Sequence, residues 1–405
     1  MAEFWRLSCK FQQLEHIWQV LKIRCFTIDM KEHTHKVIII GIDHHNTLGV
    51  IRSLGECGVK SYLILEDQPK TSFVNKSKYL EKCILLVNNS IVDTLLYNFK
   101  GEIYKPVIIC TTDSSIDAID LHYDQLKEFF VCPNAGSQGG IHQLLNKEYT
   151  IKIAERCGIR IPMSISLSKD DDIPQNLMYP CYIKAIDSIC GSKADSCLCY
   201  NDKEIKSALS KKIGYQVQEY IEKDTELLIN GVALEHGNKS YFPLVIEKIR
   251  QYPSNVGACT YCKVDSIDNY QYIDVLSIKK FIKEIRYEGV FSIEFLVKGG
   301  KTYFLEINLR NDGTAYIPTI ADFKMHYMWY CYTAKTYTST PQIKREILPF
   351  YFSSDVTDIK HVFEKRISIC KWFRDTMKAR AYLLFNKHDI KPWLHFYLNI
   401  LKRKI

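Results

Sequence analysis

The chain contains 405 residues, of which 46% are hydrophobic and 25% charged, and its formal net charge is +8 at pH 7. This length exceeds the usual ceiling for a single hydrophobic core, so we expect two or three domains. No run of 18 or more apolar residues occurs, so the sequence does not predict a membrane-spanning helix.

The basic charge is concentrated at one end of the chain. Residues 341–405 contain fourteen Lys or Arg against six Asp or Glu, so this tail carries the whole net charge of +8. A local basic excess favours an anionic membrane surface or an anionic substrate over nucleic acid as the partner. Fifteen cysteines, an odd number, in a chain without a secretory pattern favour free thiols in the reducing cytoplasm.

The first 35 residues predict a helical extension. Charged residues interrupt their apolar positions, so we do not expect a signal peptide. Apolar side chains at helical spacing predict a helix that docks on another surface. The residues that share this face are Leu7, Phe11, Leu14, Trp18 and Leu21.

Residues 36–135 predict an open α/β domain with a parallel sheet. The spacing of residues 46–57 is helical, and the domain contains no GxGxxG dinucleotide fingerprint. Ligand contacts are expected from the loops at the strand ends, over residues 43–47 and 111–113. Short apolar runs typical of buried parallel strands occur at residues 36–41, 62–65, 107–110 and 129–131.

A hairpin over residues 291–310 is the most informative part of the region after residue 136, where helices and strands are mixed. Two strands of alternating apolar and polar residues flank a pair of glycines, as in a β-hairpin. A carboxylate, an amide and a guanidinium in line on an enclosed face require a polar ligand. On the second strand, alternation predicts one face that carries Phe304, Glu306, Asn308 and Arg310.

The register of the hairpin decides whether Glu294 joins this row. A loop made of the two glycines alone would place Glu294 opposite an apolar residue, whereas a three-residue loop ending at Lys301 pairs it with Glu306. The polar and apolar alternation favours the longer loop. Opposed carboxylates repel each other unless a cation lies between them, and oxygen ligands of this kind suit Mg²⁺. A solvent-facing polar strand is the alternative.

This hairpin resembles the metal-binding hairpin of the ATP-grasp superfamily, in which an acidic residue on one strand and Glu-x-Asn on the next hold two magnesium ions. The resemblance implies that Glu294, Glu306 and Asn308 bind Mg²⁺, with Mn²⁺ as the alternative metal. It also implies ATP as the nucleotide.

Further landmarks of the superfamily precede the hairpin in the expected order. Asn146-Lys147 before a helix and the strand that carries Lys184 resemble the two nucleotide-binding lysines. Residues 191–193 resemble the loop that closes over the phosphates, and residues 217–221 the hinge that reads adenine. The nucleotide ligands implied by the resemblance are Lys147, Lys184, Ser192, Lys193, Glu219, Ile221 and, for the ribose, Glu226.

Residues 247–253 are similar to the carboligases related to D-aspartate ligase and carbamoyl-phosphate synthase. The resemblance implies a ligase that activates a carboxylate as an acyl phosphate and joins it to an amine. Lys248, Arg250 and Arg310 would be its catalytic cations. The continuation Asn311-Asp312 departs from the D-aspartate ligases, which leaves the acceptor open.

The resulting organisation combines α/β and α+β architecture. An N-terminal extension, residues 1–35, precedes a pre-ATP-grasp domain with an open parallel sheet, residues 36–135. A two-lobed ATP-grasp domain, residues 136–335, and a basic, mostly helical C-terminal region, residues 336–405, follow. The expected substrates are a small-molecule or cell-envelope-precursor carboxylate and an amine. Whether the protein forms a homodimer is left open. The alternative function is a catalytically inactive ATP-binding scaffold.

The C-terminal tail carries an apolar stripe at helical spacing next to basic residues. Two interpretations are open: the stripe packs on its own domain, or it docks on an anionic membrane surface as a peripheral contact. The residues of the stripe are Trp393, Phe396, Tyr397, Ile400 and Leu401.

Overall fold

The structure is a computed structural model and describes residues 34–67, 69, 71–187, 196–209, 213–254, 257–334 and 347–403. The chain divides into two compact units, Met1–Thr34 and His35–Ile405. All elements described below belong to the second unit. The predicted docking helix in residues 1–33 and the predicted ligands Ser192 and Lys193 lie outside the described residues.

The first sheet contains four parallel strands in the order β3-β2-β1-β4. The side chains of residues 37–40 are completely buried, as expected for a strand covered on both faces. The strands are β1 Val37–Gly41, β2 Ser61–Leu65, β3 Leu80–Leu85 and β4 Val107–Cys110. The helices are α1 His45–Gly55, α2 Ile91–Phe99, α3 Asp113–Leu121 and α4 Tyr123–Leu126.

The strand predicted at residues 129–131 does not form. Val131 makes one parallel bridge to Val107 at the edge of the sheet. Pro133 follows two residues later and has no backbone N–H with which to continue a ladder. The run is apolar because Phe130 is buried in the core, and not because it belongs to a strand.

The second sheet is small and antiparallel, with the order β5-β8-β6-β7. It has its own core, which includes Ile183 and Val217. The strands are β5 Ser164–Leu167, β6 Cys181–Ala185, β7 Cys197–Cys199 and β8 Tyr215–Glu219. The helices before and within this region are α5 Gly140–Leu144, α6 Lys147–Arg156 and α7 Asp202–Ala208.

The third sheet has eight strands in the order β14-β13-β9-β11-β12-β15-β16, with β10 paired to β9. The β15–β16 pair is parallel, whereas the other pairs are antiparallel. The first five strands are β9 Thr225–Leu234, β10 Lys239–Tyr241, β11 Leu244–Tyr252, β12 Ala258–Ser266 and β13 Gly289–Lys298. The last three are β14 Lys301–Asn308, β15 Phe350–Ser353 and β16 Ala379–Tyr382.

Helices flank this large sheet and bury its two faces in different clusters. Ile229 and Ile293 on one face belong to the same buried cluster as Phe281. Leu228 on the other face clusters with Trp329. The helices are α8 Val275–Glu284, α9 Ile317–Ile320, α10 Met325–Thr333, α11 Lys360–Phe363, α12 Ile369–Lys378 and α13 Lys391–Arg403.

The C-terminal region contains the helices α11, α12 and α13, in agreement with the prediction, and the strands β15 and β16, which were not predicted, extend the large sheet. Part of the predicted apolar stripe packs on its own domain. Trp393 and Phe396 are partly buried against the core, and the Tyr397 hydroxyl donates to the Asp355 carbonyl at 2.7 Å. Among the helices in the described ranges, none is long and apolar enough to cross a membrane. The domain boundaries at residues 135 and 335 stay predictions.

Asp389 connects the C-terminal region to the domain of the first sheet through hydrogen bonds and a buried ion pair. Its carboxylate accepts hydrogen bonds from Arg52 Nε at 3.1 Å, the Ser77 hydroxyl at 2.8 Å and the Lys78 backbone N–H at 3.0 Å. The ion pair with Arg52 is almost completely buried, since each side chain is 1% exposed. Removal of one partner would leave the other charge buried without compensation.

We therefore expect Asp389→Ala to lower the free energy of unfolding by roughly 3–5 kcal/mol. The measurement is urea denaturation of the full chain. Asp124→Ala is the matched control, because the Asp124–Lys127 pair is solvent-exposed and should contribute little. Equal effects of the two substitutions would contradict the role assigned to Asp389.

Candidate active site

The hairpin of β13 and β14 brings two carboxylates together across the strands. Glu294 pairs with Glu306, and Ser292 pairs with Asn308, so the predicted register is confirmed. The predicted reason was wrong, however. The turn contains only the two glycines, Lys298 pairs with Lys301, and an irregularity between Glu294 and the following residue restores the register.

A β-bulge at Leu305 explains this register. Both turn glycines have positive φ angles, 55° and 67°, as a two-residue hairpin turn requires. Phe304 pairs with Phe295 and is buried in the core, on the face opposite to the predicted one. The extra residue Leu305 lets the next side chain, Glu306, point away from that core. The bulge therefore satisfies an apolar and a charged residue on the same strand.

Lys248 on β11 links two of the predicted site acids. Its ammonium donates to Glu226 and, at 2.7 Å, to Glu294. All three side chains are nearly buried, with exposures of 7%, 7% and 12%. Lys248 was predicted to be a catalytic cation, and its ammonium lies between a predicted ribose ligand, Glu226, and a predicted metal ligand, Glu294.

The charges of this cluster perturb one another. Burial raises the pKa of Glu294 to about 8. Lys248 opposes this shift, and the nearby Glu306 and Glu226 carboxylates add to it. Burial alone would raise the pKa of Glu226, but the ammonium groups of Lys248 and Lys223 outweigh it and lower that pKa to about 2. The cluster therefore holds more carboxylates than the ammonium group of Lys248 can neutralise.

Lys184 approaches this cluster from the small sheet. Its ammonium donates to the Leu305 carbonyl at 3.3 Å, and the residue is 6% exposed. Burial lowers the pKa of Lys184 to about 8, with Glu306 opposing and Lys147 reinforcing the shift. Lys147 itself donates to the Ala185 carbonyl at 3.1 Å. Both predicted nucleotide lysines thus lie on the side of the small sheet that meets the hairpin.

Asn308 and Arg310 continue the polar row beyond Glu306. Asn308 donates to the Ser292 hydroxyl at 3.2 Å and accepts from Arg310 at 3.1 Å. Arg310 also binds both carboxylate oxygens of Asp113, at 2.7 and 3.2 Å. Asp113 is the first residue of α3 and belongs to the segment 111–113, from which ligand contacts were predicted. Arg310 therefore joins the hairpin to the parallel sheet.

Two buried amides on β8 were not among the predicted ligands, although one of them, Gln218, lies within the predicted hinge of residues 217–221. Gln216 and Gln218 pair with Lys184 and Tyr182 of β6, and alternation places the two amides on the face of Lys184. They are 1% and 4% exposed, and their side-chain oxygens have no hydrogen-bond partner within the described residues. Such buried acceptors indicate a missing donor. The alternation of the segment Tyr-Gln-Val-Gln-Glu carried this signal.

The remaining predicted nucleotide residues follow at the end of β8. The Glu219 backbone N–H donates to the Met163 carbonyl at 2.8 Å, and Ile221 is 5% exposed. This segment leads from the small sheet to β9, in which Glu226 is the second residue. Its position between the sheets is that of a hinge.

Arg250 is not brought to the Glu294–Glu306 cluster. It binds Asp358 through two nitrogens at 3.0 and 2.7 Å and Asp375 through a third at 2.7 Å. The guanidinium also lies 4.2 Å from the centre of the Tyr261 ring. Irregular pairing of β11 on both sides of Arg250 accompanies this placement. The predicted catalytic role is therefore not supported by the location of the side chain.

The donor set at the hairpin fits a magnesium ion that shares its coordination with phosphates. Within the described ranges, no side chain donates a hydrogen bond to the Glu306 carboxylate, which leaves its oxygens available. No group of three His, Cys, Asp or Glu side chains in the described part of the chain is arranged to hold a metal alone. Mg²⁺ is usually held by one or two carboxylates together with substrate phosphates.

Comparisons with known proteins agree with this architecture. No family model matches the chain. D-alanine–D-alanine ligase from Fusobacterium nucleatum is 28% identical over 188 residues, which cover 44% of this chain and 62% of that ligase. The chain thus spans about three fifths of the length of this curated relative.

Solved structures resemble the fold over most of the chain. The ADP complex of an N5-carboxyaminoimidazole ribonucleotide synthetase matches with a TM-score of 0.63 and 12% identity, covering 82% of this chain and 85% of that one. The Staphylococcus aureus synthetase matches with a TM-score of 0.61 and 15% identity, covering 83% of this chain and 88% of that one. L-amino acid ligase from Bacillus licheniformis matches with a TM-score of 0.58 and 13% identity, covering 75% of this chain and 75% of that one. These likenesses show that the chain has the ATP-grasp fold of these neighbours, as the hairpin predicted.

We expect Lys248→Met to lower the free energy of unfolding by roughly 3–5 kcal/mol, because it leaves buried carboxylates without their shared cation. The double variant Lys248→Met/Glu294→Gln should recover part of this loss, since the amide of Gln, unlike a carboxylate, can be buried without a neighbouring cation. Urea denaturation of the single and double variants measures the coupling.

Lys263→Met is the control for this cycle, because Lys263 lies on the neighbouring strand β12 and pairs with Asp265 while 35% exposed. Its effect should be much smaller. Strictly additive losses from the two substitutions at the cluster would contradict a bridging role of Lys248.

Proposed function

We propose that this chain is an ATP-dependent carboxylate–amine ligase that works through an acyl phosphate and releases ADP and phosphate. The observation that carries the proposal is the meeting of Lys184 with Glu306 and Glu294 at one cleft. Cations from one sheet and carboxylates from another are what a metal-bound triphosphate requires. The ATP-grasp fold supports this assignment.

The nucleotide would lie between the small sheet and the hairpin. The ammonium groups of Lys147 and Lys184 would bind its phosphates, and the buried amide oxygens of Gln216 and Gln218 would accept hydrogen bonds at the adenine end. Glu219 and Ile221 would border the base. Glu226 would accept from the ribose hydroxyls, for which it must exchange part of its contact with Lys248. Ser192 and Lys193 remain proposed phosphate contacts on the strength of the sequence.

Glu294, Glu306 and Asn308 would hold Mg²⁺, or Mn²⁺ in its place. When bound there, the ion would neutralise negative charge on the β- and γ-phosphates. Burial raises the pKa of Glu294, and a cation held there would favour the anionic form of its carboxylate. The carboxylate of Glu306 is already without a hydrogen-bond donor in the described structure.

The reaction would proceed in two steps that the cations of the site assist. An oxygen of the substrate carboxylate attacks the γ-phosphorus, the bond to the bridging oxygen breaks, and ADP leaves. The amine nitrogen then attacks the acyl carbon, phosphate leaves, and the nitrogen loses a proton to form the amide. Arg310 would stabilise the oxyanion of this second step, because Asp113 orients it beside Asn308. Arg310 is preferred to Arg250 because it lies beside Asn308, whereas Asp358 and Asp375 of the C-terminal region hold Arg250.

The substrates are proposed only by class. The relative from F. nucleatum is named for the ligation of D-alanine to D-alanine, and the structural neighbour from B. licheniformis is named for L-amino acids. Amino acids and cell-envelope precursors that carry a carboxylate or an amine are therefore the first substrates to test. The twelve described cysteines are free thiols, which fits a reducing compartment such as the cytoplasm.

We expect Glu306→Gln to reduce magnesium-dependent ADP release by about a hundredfold or more, because the side chain keeps its size but loses the charge that faces the metal. The measurement is ADP release in the presence of Mg²⁺ and a panel of carboxylates and amines. Hydroxylamine added to the wild type should trap a hydroxamate from the acyl phosphate.

Glu247→Gln is the matched control, since Glu247 lies on strand β11 of the same sheet and accepts from the Tyr270 hydroxyl at 3.0 Å. This variant should keep wild-type turnover. Nucleotide binding without any stimulated ADP release in the wild type would favour the inactive scaffold instead. Full turnover of Glu306→Gln would exclude the metal assignment.

A further inference from the structure

Helix α12 carries an apolar face that the described part of the chain leaves uncovered. Ile369, Phe373 and Met377 are spaced four residues apart and therefore lie on one side of the helix. Their exposed fractions are 55%, 60% and 67%. Phe363 in the preceding helix α11 is 76% exposed. We refer to the three α12 residues as the α12 face.

The opposite side of the helix is fixed by a buried ion pair. Asp375 is 6% exposed and accepts from Arg250 at 2.7 Å, while Lys371 lies 3.5 Å from the same oxygen. Arg250 is in turn held by Asp358. The helix cannot rotate its apolar side inward without removing Asp375 from this cation. Exposure of the α12 face is thus a consequence of the fold and not of a detached helix.

The surroundings of the α12 face are strongly basic. Residues 359–380 contain seven Lys or Arg against two acidic residues. Both acids are paired, Asp375 with Arg250 and Glu364 with Arg366 at 2.8 Å. Arg374 and Lys378 on α12 are exposed, and neither has an ion-pair partner within the described ranges. An apolar face flanked by free cations requires an anionic and apolar partner.

We propose that the α12 face docks on an anionic lipid bilayer. Its apolar side chains would enter the boundary between headgroups and acyl chains, while Arg374 and Lys378 would contact anionic headgroups. A second copy of the chain is a poorer partner, because a two-fold contact would bring two basic surfaces together. This surface differs from the predicted tail stripe, in which Trp393, Phe396 and Tyr397 pack on their own domain.

Co-sedimentation of the full chain with lipid vesicles tests the proposal and requires no nucleotide. The wild type should bind vesicles of phosphatidylcholine mixed with phosphatidylglycerol and should not bind vesicles of phosphatidylcholine alone. Arg374→Glu/Lys378→Glu should weaken binding by about tenfold or more. Phe373→Ser/Met377→Ser should weaken it similarly, since burial of apolar area contributes to the attachment.

Two matched variants serve as controls. Lys279→Glu/Lys283→Glu reverses exposed charges on α8, and Leu394→Ser/Leu398→Ser removes exposed leucines from α13. Both should retain wild-type binding. Circular dichroism checks the fold of each variant, and the charge reversal on α12, which changes only exposed side chains, keeps the test valid if the serine variant unfolds.

Three outcomes would overturn the proposal. The wild type fails to bind mixed vesicles even at low ionic strength, or the two control variants lose binding as strongly as the α12 variants. In the third, light scattering finds that the wild type forms dimers that the α12 variants cannot form, which would assign the face to a contact between copies. Vesicle binding and ADP release are independent measurements, so this proposal and the proposed ligase activity can fail separately.

Discussion

Strand β14 has to bury Phe304 and Ile307 in the core and still present Glu306 to the cleft, and the bulge at Leu305 reconciles these demands. Strict alternation would place Glu306 on the same face as Phe304, inside the apolar core. A buried carboxylate without a partner would destabilise the fold severely. The extra residue, Leu305, thus brings the carboxylate of Glu306 opposite Glu294. The backbone carbonyl of Leu305 also accepts the hydrogen bond from Lys184. The rest of the site is assembled around this point.

The charges gathered there are held in place by each other before any ligand enters. Lys248 bridges Glu226 and Glu294, and Arg310 bridges Asn308 and Asp113. Oriented charges of this kind need little rearrangement when a charged ligand arrives, which is the property that electrostatic catalysis requires. Several carboxylates lie close to buried lysines in this site. Burial and these neighbouring charges raise the pKa of Glu294 and lower the pKa of Lys184.

Much of the fold and the core of the candidate site could be predicted from patterns local to the chain. The parallel strands β1, β2 and β4 follow from short apolar runs, and the pairing of Glu294 with Glu306 follows from alternation. The loop length was wrong because alternation alone cannot reveal a bulge. That irregularity depends on the burial of Phe304 beside Phe295, a contact set by the packing of the whole sheet.

Local sequence patterns could not predict contacts between residues that lie far apart in the chain. Arg250 was expected at the active site because of its neighbours in sequence, yet its partners, Asp358 and Asp375, follow more than 100 residues later. The strands β15 and β16 were overlooked because only their addition to the large sheet stabilises them. A helix such as α12 is likewise amphipathic in sequence, but only the tertiary structure reveals which side is exposed.

The central claim, that Lys184 belongs to a nucleotide phosphate site, is tested most directly by the pH dependence of ADP affinity in calorimetry without metal. Because the pKa of Lys184 is about 8 in the free protein and phosphate would raise it, binding takes up a proton above pH 8. Affinity should therefore be highest below pH 8 and fall above it, by up to about tenfold per pH unit. In Lys184→Arg, whose guanidinium stays charged, the fall should be much weaker. Identical pH profiles for the two proteins, or an affinity independent of pH in the wild type, would contradict the account.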